Sequence, residues 1–178
     1  MAVHKESIVL GGGCSWCLDA GYRLIEGVLS VETGYSGGNV KDPSYDQVCT
    51  GETGHAEVVR ITFDTDKIKL KDLLDIFWAL HDPTTLNKQG NDVGTQYRSI
   101  ILYSNEEQKN IAEKSKNDNS DVWDDPIVTE ILPLHTFYMA EQEHQDFFAQ
   151  HPESAYCQVI INPKLKKLRK KFASRIRS

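Results

Sequence analysis

Cys14 stands directly behind three glycines, Gly11-Gly12-Gly13, which close the apolar run Ile8-Val9-Leu10. Leu18, Tyr22 and Ile25 follow at helical spacing, so the cysteine falls at the first turn of a helix. Unpaired backbone N–H groups and the positive end of the helix dipole stabilise a thiolate there. The expected consequence is a thiol pKa below the ordinary value of about 8.5, and a nucleophilic sulfur. The glycines let backbone or a substrate approach closely. Cys17 completes a Cys-x-x-Cys, a spacing that suits a redox disulfide at a helix start or half of a zinc site. Cys49 and His55 are the further candidate ligands, at spacings that match no common zinc pattern. Cys49, inside a short apolar helix, is expected to be buried and inert. Cys157 falls in a stretch expected to be irregular, where a mobile thiol can reach an oxidised Cys14.

The residues from His55 to Phe63 alternate, which puts Glu57, Val59, Ile61 and Phe63 on one strand face. A carboxyl among apolar neighbours loses hydration and its pKa rises; a nearby Cys14 thiolate pushes the same way. A neutral Glu57 can then protonate an oxygen. A frayed strand start would instead leave Glu57 an ordinary hydrated carboxylate, and the residue pattern alone leaves both readings open. Tyr35, Tyr45, Asp92 and Tyr97 cluster around glycine-rich segments. Phenols hydrogen-bond a polarised oxygen without adding charge, although each ring alone is an ordinary core-edge aromatic. Trp16 either lines an apolar pocket at the thiol or packs into the core.

The elements that must position these groups alternate without a strict βαβ rhythm. Strands are expected at 28–35, 55–63, 97–103 and 127–132. Helices are expected near 15–26, 44–48, 70–82, 105–116 and 139–150. This predicts an α+β domain over residues 1–178, a two-layer sandwich of a mixed sheet flanked by helices. Residues 151–163 read as irregular, and the loop from Asp82 to Gln96 is long enough to be a site. Residues 164–178 carry eight basic and no acidic side chains, so the rest of the chain holds −14 against −6 overall. Leu165, Leu168, Phe172 and Ile176 make one apolar stripe, which predicts a docked basic amphipathic helix over about 163–177. The acidic body argues against nucleic-acid or membrane partners. No segment has the length or apolarity of a membrane span or signal peptide, so a cytoplasmic protein is expected.

Several blocks together resemble the peptide-methionine (S)-S-oxide reductases, the A-type methionine sulfoxide reductases. They are Gly13-Cys14-Ser15-Trp16, Thr33 to Gly38, Tyr45 to Gly51, Thr53 to Glu57, His81 to Thr84, Gln89 to Ser99 and Tyr138 to Glu141. The resemblance covers residues 7–157. It implies reduction of the S epimer of methionine sulfoxide, free or protein-bound, with no metal or organic cofactor and with thioredoxin or another dithiol as reductant. It places the nucleophile at Cys14, the proton-donating glutamate at Glu57, the oxygen-binding tyrosines at Tyr45 and Tyr97, and a supporting aspartate at Asp92. Trp16 takes the place of the tryptophan against the substrate methyl, and Cys157 that of a resolving cysteine.

Two positions depart from the family's pattern. Ser15 stands where it usually has Phe, which shrinks one wall of the methyl pocket unless another aromatic fills it. Cys17 stands where it usually has Gly and is an alternative resolving thiol, although its spacing from Cys14 is tight for a disulfide. The competing reading is a thioredoxin-like disulfide oxidoreductase using Cys14 and Cys17, for which the parallel βαβ pattern is weak.

Overall fold

The computed structural model describes residues 4–177. Strands β1 (Lys5–Gly11), β2 (Val28–Ser36) and β3 (Ala56–Asp64) form an antiparallel centre in which β3 lies between the other two. On the far side of β1 comes β6 (Ile100–Tyr103), antiparallel to it, and then β7 (Glu130–Pro133), parallel to β6. β8 (Tyr138–Met139) pairs antiparallel with β2 at the opposite edge. The result is a mixed α+β sheet with a single parallel pair among six strands, and the parallel pattern of the competing reading is not found.

Alternation along β3 decides what each face buries. Val59, Ile61 and Phe63 point to helices α1 (Ser15–Arg23), α3 (Leu70–Leu80), α4 (Glu106–Asn119) and α6 (Asn162–Lys171), packing with Leu18, Tyr22, Leu74, Phe77 and Leu168. Burying each such side chain stabilises by about 1.5–3 kcal/mol, so this face holds the layers together. Ala56 and Val58 point the other way, to Val9, Ile100 and Leu102, and are covered by Leu134 and Phe137. Glu57 is therefore carried on the helix-covered face.

The segment 139–150 is not the expected helix. Met139 instead pairs with Gly34, where a Cβ would collide with the Tyr138 carbonyl, so only glycine admits the edge strand. The Gln145 side chain then mimics a strand neighbour, accepting from the Thr33 N–H at 2.8 Å and donating to the Thr33 carbonyl at 2.9 Å. Asp146 turns into the left-handed region (φ 49°), which leaves a 3₁₀ turn, Gln142–His144, and the one-turn helix α5 (Phe147–Gln150).

Residues 151–163 are not irregular throughout either. A helix starting at Ala155 runs through a wide turn, Cys157–Ile161, into α6, and Pro163 directly follows that turn as the second residue of α6. The basic helix ends at Lys171, short of the expected 177. Ala173–Arg175 forms a 3₁₀ turn, Arg175 pairs with Asp72 at 3.0 Å, and Ile176 bridges to Ile25.

The long loop contains a small hairpin, β4 (Lys88–Gln89) and β5 (Asp92–Val93), tied down because the Gln89 amide bonds both backbone groups of Asp82 at 2.9 Å. It ends in the 3₁₀ turn Thr95–Tyr97, which shortens the strand expected from Tyr97. Among the described residues, no helix is long and apolar enough to cross a membrane.

Candidate active site

The glycines before Cys14 answer to close packing. A Cβ on Gly12 would stand 2.7 Å from the His81 ring, and one on Gly13 (φ +84°) 2.7 Å from the Gln89 side chain. His81 itself cannot yield. Its Nδ1 lies 2.7 Å from the Phe77 carbonyl and its Nε2 2.8 Å from the Ser99 hydroxyl, and burial lowers its pKa to about 4. The Gly13 N–H donates to the Tyr97 carbonyl at 3.1 Å, which brings the 3₁₀ turn against the start of α1 beside Cys14.

Cys14 is the extended N-cap of α1, as its position in the sequence predicts, but its thiol is not acidified. Loss of water raises its pKa well above the ordinary value, and the charges of Glu57 and Cys17 add to the rise. The bond from the Trp16 backbone N–H and the nearby Tyr156 hydroxyl dipole oppose this without overcoming it. Desolvation plus a carboxylate neighbour outweighs the helix start, so the resting form is the thiol.

Glu57 is 4% exposed and held in the β2–β3 ladder opposite Tyr35, so the hydrated reading of a frayed strand end is excluded. Its Oε1 accepts from the Ser15 N–H and hydroxyl, both at 3.4 Å. Burial raises its pKa to about 7 against those bonds, and the Asp92 charge helps. Ser15 thus links the carboxyl to the helix that carries Cys14.

Tyr45 opens α2 (Tyr45–Cys49), where Ser44 and Gln47 form a reciprocal capping box and Glu141 Oε1 accepts from the Tyr45 N–H at 3.2 Å. The phenols of Tyr45 and Tyr97 are both pushed up, chiefly by burial and also by the Glu57 charge, so they remain neutral donors beside the carboxyl. Cys49 departs from its expected burial: it is half-buried and hydrogen-bonded to Tyr45. It does not join His55 in a metal site, because the His55 ring nitrogens bond Gly38 N–H and the Val40 carbonyl. Among the described residues, metal-ligating side chains converge instead at Glu141, Glu143 and His144.

Trp16 stacks flat on Phe147 (centroids 3.6 Å, 5° between planes), with His144 at 5.8 Å and the Tyr156 edge at 5.6 Å. His144 also lies 4.4 Å from the Tyr45 ring. These rings supply the aromatic surface that Ser15 does not. α5 is held on α1 by Asp19, whose carboxylate accepts from the Asp146 N–H at 2.7 Å and pairs with Arg23. Burial raises the Asp19 pKa to about 6 despite that cation. Phe147, His144 and Tyr156 were not among the sequence candidates. Their one signal is three aromatic-type side chains within a short stretch otherwise read as a plain amphipathic helix and a loop.

Cys157 also departs from its expected mobility. It lies fully buried in the wide helical turn, packed with Cys17, Ala20, Ile161 and Leu165, not in a mobile tail. Cys17 is buried too, with its Sγ 3.8 Å from the Tyr156 hydroxyl. That hydroxyl donates to Asp92 Oδ2 at 3.1 Å. A cleft of about 450 Å³ opens onto Cys14 between Gln89–Asp92 and Val159–Lys164.

A family model described as peptide methionine sulfoxide reductase matches residues 6–176. The chain is 52% identical over 172 residues to peptide methionine sulfoxide reductase MsrA of Saccharolobus solfataricus, covering 97% of each chain. It is 54% identical over 169 residues to the protein of the same description from Arthrobacter sp., covering 95% of this chain and 97% of that one. Among solved structures it resembles reduced Mxr1 of Saccharomyces cerevisiae (TM-score 0.82, 35% identity, 86% of this chain and 89% of that one). The chain therefore belongs to the peptide methionine sulfoxide reductase family, oxidoreductases that reduce methionine sulfoxide.

Proposed function

We propose that the chain acts as one reductase unit in which Cys14 and Glu57 share the proton needed to reduce the S epimer of methionine sulfoxide. The observation that carries this reading is a buried carboxyl poised near neutral pH, tied through Ser15 to the helix of the nucleophile. Cys14 passes its proton to Glu57 and attacks the sulfoxide sulfur as the thiolate. Glu57 returns the proton to the oxygen as that oxygen becomes basic, while Tyr45 and Tyr97 hold it. Collapse releases methionine and leaves Cys14 as sulfenic acid: the sulfoxide sulfur gains two electrons and the cysteine sulfur loses two.

Asp92 supports the tyrosine side of the site by its charge, and Trp16 holds the methyl, with Phe147 taking the wall that Ser15 leaves open. Fixing oxygen and methyl on different walls selects one epimer. The sulfenic acid is resolved by an intramolecular disulfide, with Cys157 as the partner that the family resemblance assigns and Cys17 as the alternative. Thioredoxin or another cytoplasmic dithiol then restores the thiols. Mxr1 of Saccharomyces cerevisiae is known in complex with Trx2. No metal or organic cofactor enters these steps.

One equivalent of each resolved epimer, added to the reduced protein without reductant, tests the reading. The S epimer should yield one methionine and a new cysteine linkage by mass spectrometry, and Cys14→Ser should yield neither. Methionine from Cys14→Ser at the wild-type rate would overturn it.

A further inference from the structure

The thiol side of Cys14 holds a hydrogen-bonded line that the reductase step does not use. Tyr156 Oη lies 3.8 Å from Cys17 Sγ, and its O–H donates to Asp92 Oδ2 at 3.1 Å. A phenol that donates onward to a carboxylate keeps its oxygen lone pairs free to accept, so the Cys17 S–H can donate to it. We propose that Cys17 is the first thiol to attack oxidised Cys14 and that Tyr156 relays its proton to Asp92. This deepens the proposed function and rests on Cys14 reaching the sulfenic acid.

The step balances. Cys17 gives its proton to Tyr156 as Tyr156 passes its own to Asp92. The resulting thiolate displaces hydroxide from the Cys14 sulfur, and Asp92 returns the proton to that hydroxide as water. One S–S bond forms and one S–O bond breaks; the Cys14 sulfur is reduced and the Cys17 sulfur oxidised. Both thiols sit at the first turn of α1, with the Cys17 N–H on the Cys14 carbonyl at 3.2 Å, so the pair shares one rigid turn.

A relay answers a need set by burial. Cys17 is sealed among Ala20, Cys157, Ile161 and Leu165, and loss of water holds its proton on. Around it, Lys164 and then the Tyr156 hydroxyl favour the thiolate, while Asp92 and Cys157 disfavour it. Solvent has no route to that proton, whereas Tyr156 lines the open cleft with Asp92. The Tyr156 ring is fixed edge-on to Trp16, so removing the hydroxyl alone leaves the packing in place.

The test uses the full chain, one equivalent of methionine sulfoxide, no reductant, and dimedone to trap sulfenic acid. In Cys157→Ala the expected product is a Cys14–Cys17 disulfide. In Tyr156→Phe that disulfide should form about 10²-fold more slowly relative to the methionine burst, with dimedone-labelled Cys14 accumulating. In Cys17→Ser labelled Cys14 should accumulate even with Cys157 present. Disulfide formation in Tyr156→Phe at the wild-type rate would overturn the relay. A Cys14–Cys157 bond formed at the wild-type rate in Cys17→Ser would overturn Cys17 as first attacker. Failure of the underlying reading looks different: no methionine from the wild type, and no labelled Cys14 in Cys17→Ser.

Discussion

Glu57, Ser15, Tyr45 and Tyr97 lie on one flank of Cys14; Cys17, Cys157 and Tyr156 lie on the other. Each flank buries one titratable group away from water, Glu57 on the first and Cys17 on the second, and burial favours the neutral form of whatever group it surrounds. On the carboxyl flank this produces an acid that still holds its proton near neutral pH. On the thiol flank it keeps the proton on Cys17, which so stays unreactive. One physical effect thus arms the first half of the reaction and restrains the second until an acceptor is supplied. The flanks also differ in origin: the first is built by β3, α2, the 3₁₀ turn that ends the long loop and the first residue of α1, the second by the rest of α1 and the C-terminal helical segment.

The largest effect expected on the carboxyl flank is that of Glu57→Gln. It removes the proton donor and should slow the methionine burst by about 10²–10⁴-fold, measured by rapid quench. A loss of less than tenfold would break the distinction between the flanks. Tyr97→Phe removes one neutral donor to the oxygen and should cost about 10²-fold in the same burst. Phe147→Ala opens the wall behind Trp16, and kcat/KM should fall about tenfold without changing the shape of the pH profile.

A smaller effect appears in stability rather than rate. Glu57 goes from an ordinary carboxyl value of 4.5 to about 7 on folding. Between those values the unfolded chain releases the proton that the folded protein retains, so folding loses stability as pH rises and the full cost is present above about 7. Glu57→Gln should therefore stabilise the protein by up to about 3 kcal/mol at pH 8, and by little at pH 4. Denaturant titrations at the two pH values check the sign.

What the sequence made legible follows the range of the interactions involved. The strand face that carries Glu57 could be read from the two-residue period of β3, although not its burial at the strand's start, and the helix start at Cys14 from the glycines and apolar spacing. The charge state of Cys14 could not, because its pKa is raised first by water excluded by the fold and then by the charge of Glu57, a residue distant in sequence. Gln145 looks like a helix former, yet its amide is consumed by the Thr33 backbone, and an edge strand enters only because Gly34 lacks a Cβ. Cys157 reads as mobile from its flanking prolines, but the wide turn tolerates Pro163 and seals the thiol. Ser15 reads from the sequence as a loss to the methyl pocket; in the structure its hydroxyl bonds Glu57, and the ring stacked on Trp16 is Phe147 of α5.

The pH dependence of the first methionine turnover, wild type against Glu57→Gln, tests the shared proton most directly. Below about 7 the wild-type rate should rise about tenfold per pH unit as Cys14 ionises. Above about 7 each gain in thiolate is matched by loss of protonated Glu57, and the rate should level. Glu57→Gln has no proton to lose there, so its slower rate should keep climbing past 7. A wild-type profile that climbs through 7 without a break, parallel to the variant, would contradict the account.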